Sequence, residues 1–284
     1  MRKIVIILNV LALIVGSCSG QTTDKQISNM ENTMNIEKIN IIGHWKTDEV
    51  IGLKLIDKST ITDEYELLGR IQKEDLHGDY FYGWHTKFKG DGSFESCYNS
   101  WCGNDNYYHV VGRYEYTDAN HIRISVNTVI ARFYYGGGKS GTFELKGKEL
   151  GVFLIDSTAN GFRLIRYMDG ETDQQRITYS DMLRSFPKIH TGGSALKWVK
   201  LDPHNRDTDN RKILNKGLAA DGRYTPDKAK LLYSRYLNGE VIAFVFRYEK
   251  QILVAFYSRG PEIFAIYDSA QPILELKEKD KDYG

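Results

Sequence analysis

The sequence predicts a mainly β fold in its N-terminal half, an up-and-down meander closed into a barrel, followed by an α+β module. Three observations carry that reading. Apolar and aromatic residues recur at period two between positions 41 and 168, with turn signals between the runs. Aromatics make up 12% of the chain, led by nineteen tyrosines, a composition suited to a pleated, half-buried surface. Near residues 170–175 the pattern changes, first to segments that fit helices and then to three apolar strands.

Residues 1–17 come first. Arg2 and Lys3 give a positive start, and residues 4–15 form an apolar run broken only by Asn9. That run is well short of the roughly 20 residues a helix needs to cross a bilayer, but has the length of a signal-peptide core. Val15-Gly16-Ser17-Cys18 follows directly. It resembles the lipobox of bacterial lipoproteins. The resemblance implies cleavage before Cys18, a diacylglycerol on its sulfur and a further fatty acyl chain, such as palmitate, on the new N-terminus. Each buried CH₂ contributes roughly 0.8 kcal/mol, so several chains anchor stably. Ser19 is not the aspartate that in this class marks inner-membrane retention, which implies an outer-membrane address in the cell envelope.

Residues 18–38 are polar and read as a flexible tether. The chain has 38 basic and 37 acidic residues, with no basic cluster, which argues against a nucleic-acid partner. Besides Cys18 there are Cys97 and Cys102, separated by four residues. In an exported, oxidising setting a disulfide is the expected state. Closing so short a loop would contribute roughly 2 kcal/mol. The rival reading, a metal or redox pair, lacks the Cys-x-x-Cys spacing and a nearby histidine.

The meander, residues 39–170, is justified run by run. Tyr80, Tyr82, Trp84, Thr86 and Phe88 fall on one face, and Phe81, Gly83, His85 and Lys87 on the other. Asp91-Gly92 marks a tight turn. Tyr108, Val110, Gly112, Tyr114 and Tyr116 share a face, and the turn at residues 118–120 leads into Ile122, Ile124 and Val126. Residues 136–141 read as a turn, Gly147-Lys148 as a hairpin between residues 142–146 and 149–156, and Asn160-Gly161 as the next hairpin. Gly43-x-Trp45, then residues 88–94 and Gly112-Arg113-Tyr114, resemble the cadence of lipocalins and the lipocalin-like domains of bacterial lipoproteins. There the tryptophan seals one barrel end under an arginine from a late strand, so the resemblance implies that Arg163 or Arg166 packs on Trp45. An eight-stranded barrel either fills itself or holds one small ligand. Tyr82, Trp84, Phe88, Tyr114 and Tyr116 are the side chains expected inside, either as core or as the lining for a small apolar ligand.

Residues 171–284 resemble no family. Residues 179–186 fit a short helix stopped by Pro187. Residues 205–216 fit a second, with Gly217 beyond its end. Thr225-Pro226 reads as a third start, with Leu231, Leu232, Tyr236 and Leu237 as its apolar stripe and Asn238-Gly239 as its end. Residues 241–248 and 252–257 are apolar on both faces, as central covered strands should be, and 263–267 completes the sheet. Helices on one side of such a sheet make an α+β module.

Chemical motifs are absent. Residues 136–140 lack the upstream glycine and the following helix of a phosphate loop. Residues 207–210 lack the calcium-loop glycine, which leaves a helix-capping role for Asp207 or Asp209. Gly192-Gly193-Ser194 lacks a nucleophile elbow, with Leu196 where its last glycine belongs. The seven histidines show no metal spacing. No catalytic residue, cofactor or metal ligand is assigned. The chain therefore reads as a non-catalytic lipoprotein that engages a protein partner, through the α+β module or the aromatic hairpin at Trp101, or alternatively a small apolar ligand in the barrel. An enzyme with its site between barrel and module is the remaining reading.

Overall fold

The structure, a computed structural model, describes residues 38–56, 62–101, 106–133, 140–186, 196–203, 209–237 and 241–267. Cys18 and the leader lie outside them, as do Cys102, most of the glycine run at 136–140, and the Gly192-Gly193-Ser194 loop. From Glu37 onward the chain forms one compact unit.

Eight antiparallel strands close a barrel: β1 (Gly43–Thr47), β2 (Glu64–Arg70), β3 (Gly83–Phe88), β4 (Ser93–Asn99), β5 (Tyr107–Tyr116), β6 (His121–Arg132), β7 (Gly141–Ser157) and β8 (Phe162–Arg166). The six strands β3–β8 run as the expected meander. The first hairpin departs from up-and-down order, because β1 pairs with β3 while β2 pairs with β8. Residues 71–82 therefore return across the outside of β1. Phe81 lies edge-on to His44 and His85 there, and Lys46 bonds Asp75 at 2.8 Å. β2 was not legible as a strand: its outward positions are Glu64 and Glu66, both paired to arginines of the C-terminal module.

β7 corrects a second expectation. It is one seventeen-residue strand, not two joined by a hairpin at Gly147-Lys148. Its partner β6 is long enough to pair along most of it, and bulges absorb the extra residues: the register shifts twice, with Lys146 and Gly147 in left-handed backbone. The turns at Asp91-Gly92 and Asn160-Gly161 form as expected.

One barrel end is sealed. Trp45 is buried, and its Nε1 donates to the Ile41 carbonyl at 2.8 Å. The guanidinium over its ring, at 4.5 Å, belongs to Arg70 and not to Arg163 or Arg166. Arg70 is the direct cross-strand partner of Trp45, whereas Arg163 points outward to Asp156, Ser180 and Asp181. The rest of the barrel is filled from the opposite rim. Residues 48–56 leave β1 and turn into the lumen, burying Val50, Ile51 and Leu53. Ile51 N donates to Ser96 Oγ at 2.9 Å. Gly52, at φ +90°, passes so close to β6 that a Cβ there would stand 2.7 Å from a Val126 methyl. Only glycine takes both that backbone and that contact without strain.

The C-terminal strands form a second sheet, in the order β10 (Ala229–Leu237), β11 (Val241–Tyr248), β12 (Gln251–Ser258), β13 (Ile263–Tyr267) and β9 (Val199–Lys200). The helices cover both faces, not one. Helix α1 (Asp173–Arg184) packs Tyr179 and Leu183 with Ala243, Val245 and Phe256, alongside Leu154 and Ile165 of the barrel's outer wall. Helix α2 (Asn210–Asp221) packs Ile213, Leu214 and Leu218 with Phe244, Phe246 and Phe264 on the other face. The third expected helix is strand β10, with a short 3-10 turn at Pro226–Lys228 before it. Its apolar residues find cross-strand partners along the whole of β11, and Asn238-Gly239 serves as well for a hairpin signal as for a helix stop. α1 starts before residue 179, because Thr172 and Gln175 form a capping box. α2 runs through Gly217, where the Phe264 ring leaves no room for a side chain, and ends at Gly222. Asp209 caps it, accepting from Lys212 N at 3.0 Å.

Candidate functional site

The five aromatics expected inside the barrel do not meet in one pocket. Phe88, Tyr114 and Tyr116 belong to the sealed end. Phe88 packs on Phe94 and Tyr114, Tyr114 OH donates to the Lys89 carbonyl at 2.8 Å, and Tyr116 OH donates to the Ile39 carbonyl at 2.7 Å. Tyr82 and Trp84 stand at the opposite rim. Trp84 stacks on Tyr98 at 4.3 Å, while Tyr82, His77 and Trp101 form a cluster of mutual edge contacts. This rim is open to solvent: Trp101 is 69% exposed and Tyr80 66%. Large aromatics so exposed are common at recognition surfaces and unusual elsewhere.

Cys97 stands on β4 as a free, buried thiol, and burial pushes its proton affinity up to about 12. The expected disulfide with Cys102 is not seen, Cys102 itself lying outside the described residues. Cys97 points outward between its cross-strand neighbours His85 and His109. Burial, with His44 alongside, brings His85 down to about 4. Among the described residues no group of histidine, cysteine and carboxylate side chains could hold a metal ion.

The densest polar chemistry lies where β2 and β8 meet the C-terminal module. Glu64 is only 1% exposed. Its Oε2 accepts from Ser180 Oγ at 2.5 Å and from Tyr233 OH at 2.6 Å, and its Oε1 faces Arg184 at 2.5 Å and Arg235 at 3.3 Å. Burial alone would raise its proton affinity, but Arg235 and Arg184 outweigh that and hold it below the usual carboxylate range. Glu66 pairs with the same two arginines. Nearby, Arg176 reaches the carbonyls of Arg166 and Leu232 and lies over the Tyr233 ring at 4.6 Å.

Asp48 and Glu49, at the foot of the inward-turning segment, have the opposite environment. Burial pushes Asp48 up to about 7, with the Glu66 and Glu64 carboxylates adding to the rise, and burial pushes Glu49 up to about 8, with Asp48 beside it adding to that. Glu49 Oε2 is buried without a hydrogen-bond partner. Burial, then Arg166, lowers Lys54 to about 8. Lys54 faces a cleft of about 500 Å³ between the barrel rim and the edge of the second sheet. Asp63, Glu149, Arg166, Asn210 and Ser234 share its polar walls, and Leu55, Leu231 and Met168 its apolar ones. Clefts of this volume suit a small organic ligand.

No protein-family model, curated protein or solved structure matches this chain. The site therefore stands on its own geometry. Sequence reading expected Tyr82 and Trp84 inside the barrel, where the structure puts them at its rim, and had named Arg166 for another place. It missed Lys54, Asp63 and Asn210, which are polar residues without local pattern, brought together only by the inward turn of residues 48–56 and the docking of β10.

Proposed function

We propose that the chain is an exported, non-catalytic lipoprotein, tethered through lipid on Cys18 at the outer membrane, whose folded body engages a protein partner through the aromatic rim. The carrying observation is the set of aromatics at this rim, the Trp101–Tyr82–His77 cluster with Tyr80 bridged to His77 and Trp84 stacked on Tyr98, of which Trp101 and Tyr80 leave about two thirds of their surface open. Buried aromatics dominate binding energy at interfaces. Within the fold, residues 38–42 lie at the sealed end and the aromatic rim at the far end of the barrel. Kinship with lipocalin-like domains is part of this reading. Trp45 under a guanidinium supports it, and the exchanged places of β1 and β2 are the departure from it. A small apolar ligand in the barrel is disfavoured, since Val50, Ile51 and Leu53 occupy the lumen.

Two measurements test the reading. Cys18→Ser should move the chain from the membrane fraction to the aqueous one and abolish incorporation of radiolabelled palmitate. A photo-crosslinker placed at Trp101 should give one discrete protein adduct in the native envelope, lost when Tyr80 and Trp84 are both changed to alanine. Adducts no different from those formed at the exposed position of Ile252 would remove the case for the rim.

A further inference from the structure

The cleft between the barrel rim and the second sheet is independent of the aromatic rim and of any membrane anchor. Its wall has unmatched charge. Asp63 accepts two hydrogen bonds from Ser234, through N at 2.9 Å and Oγ at 3.0 Å. Asp209 is engaged in capping α2. Glu149 faces Arg123 at 3.6 Å and is largely exposed. The cations are not matched in this way. The Arg166 guanidinium has no hydrogen bond or ion pair among the described residues, and Lys54 Nζ has only the Thr62 carbonyl, at 3.2 Å. Both are half-buried. A half-buried guanidinium with five donors and no acceptor is an incomplete arrangement, which a carboxylate completes with two parallel hydrogen bonds.

We propose that this cleft binds a small aliphatic carboxylate, its carboxylate on Arg166 and Lys54 and its short apolar body against Leu55, Leu231 and Met168. Three considerations fix that class. The three acids in the wall oppose a divalent anion such as phosphate, while Arg166 and Lys54, which pair with none of those acids, can take one carboxylate between them. The volume admits a compact molecule and excludes a macromolecule. The apolar side of the wall gives a chain of a few carbons a place to leave water.

Equilibrium dialysis of the full-length chain in detergent, with radiolabelled butyrate and separately with inorganic phosphate, tests this. Butyrate is expected to bind saturably at one site, with affinity at least tenfold weaker in Arg166→Gln and partly retained in Arg166→Lys. Phosphate is expected to compete poorly. Should Arg166→Gln fail to fold, Met168→Trp at an exposed position of the wall fills the cleft and is expected to abolish binding. The proposal is overturned if butyrate shows no saturable binding, if folded Arg166→Gln or Met168→Trp binds it as the parent does, or if phosphate binds more tightly than butyrate.

Discussion

Replacing Glu49 with glutamine should stabilise the protein, increasingly so as pH rises above about 5. Glu49 titrates near 8 in the fold, against 4.5 for an ordinary glutamate. An acid that stays protonated in the folded chain but ionises when unfolded releases a proton on unfolding. Stability therefore falls as pH rises from about 4.5, and the loss is complete only above about 8. Each pH unit in that interval removes about 1.4 kcal/mol, so the ceiling is about 5 kcal/mol. Asp48, near 7, titrates beside it and takes part of the penalty. The amide also leaves one polar atom without a partner, at a cost of about 1 kcal/mol or more. The expected net gain is about 2–3 kcal/mol at pH 9, shrinking to within about 1 kcal/mol at pH 5. Urea unfolding followed by tryptophan fluorescence at pH 5, 7 and 9 reads this directly, since the slope of the transition should not change. A variant less stable than the parent at pH 9, or a difference that ignores pH, would refute the reasoning.

Glu64→Gln should behave oppositely. A carboxyl held below its ordinary range stabilises the fold above that range and ceases to do so in acid. The variant should lose about 2–4 kcal/mol at pH 7, as for a broken buried pair, and the gap should narrow below pH 4; a gap constant down to pH 3 argues that packing, not charge, is responsible. Gly52→Ala should cost about 2–4 kcal/mol through a left-handed backbone and a clash with Val126; a thermal melt at the parent's midpoint would mean that residues 48–56 do not fill the lumen. Cys97 should resist iodoacetamide at pH 8 in the folded chain, since burial holds its thiol protonated up to about 12, and react once guanidinium unfolds it. Rapid native labelling contradicts this, and an unfolded, unreduced chain without any free thiol reveals a disulfide.

Much of the barrel was legible because its strands have one wet and one dry face. Residues 83–88, 93–99 and 107–116 announce themselves by alternation, and their turns by aspartate, asparagine and glycine. What was hidden had a different kind of cause. β2 alternates too, but with acids whose partners, Arg184 and Arg235, are more than a hundred residues away. β10 has an apolar spacing that fits either period, and only the offer of a full ladder by β11 decides it. The exchanged order of β1 and β2 has no local signal: it depends on residues 48–56 going inside the barrel while 71–82 go outside. Of the cleft, Arg166, Asp209, Leu231 and Leu232 had been singled out, but as a seal, a helix cap and a helix stripe, none of them as neighbours. Trp45 was found as the seal, but its cation is Arg70, placed there by cross-strand register.

The sealed end has a mechanical consequence. Everything N-terminal to the fold is joined to it through residues 38–42, which cross the floor of the barrel and are held by the Tyr116 hydroxyl, the Ala119 carbonyl and the Trp45 indole. A load on the N-terminus falls on those few bonds in series, unsupported by the long ladders of the wall. Under tension the floor should yield before the staves, and because Ile41 is buried in the barrel core, the first contacts to part already unseat core packing.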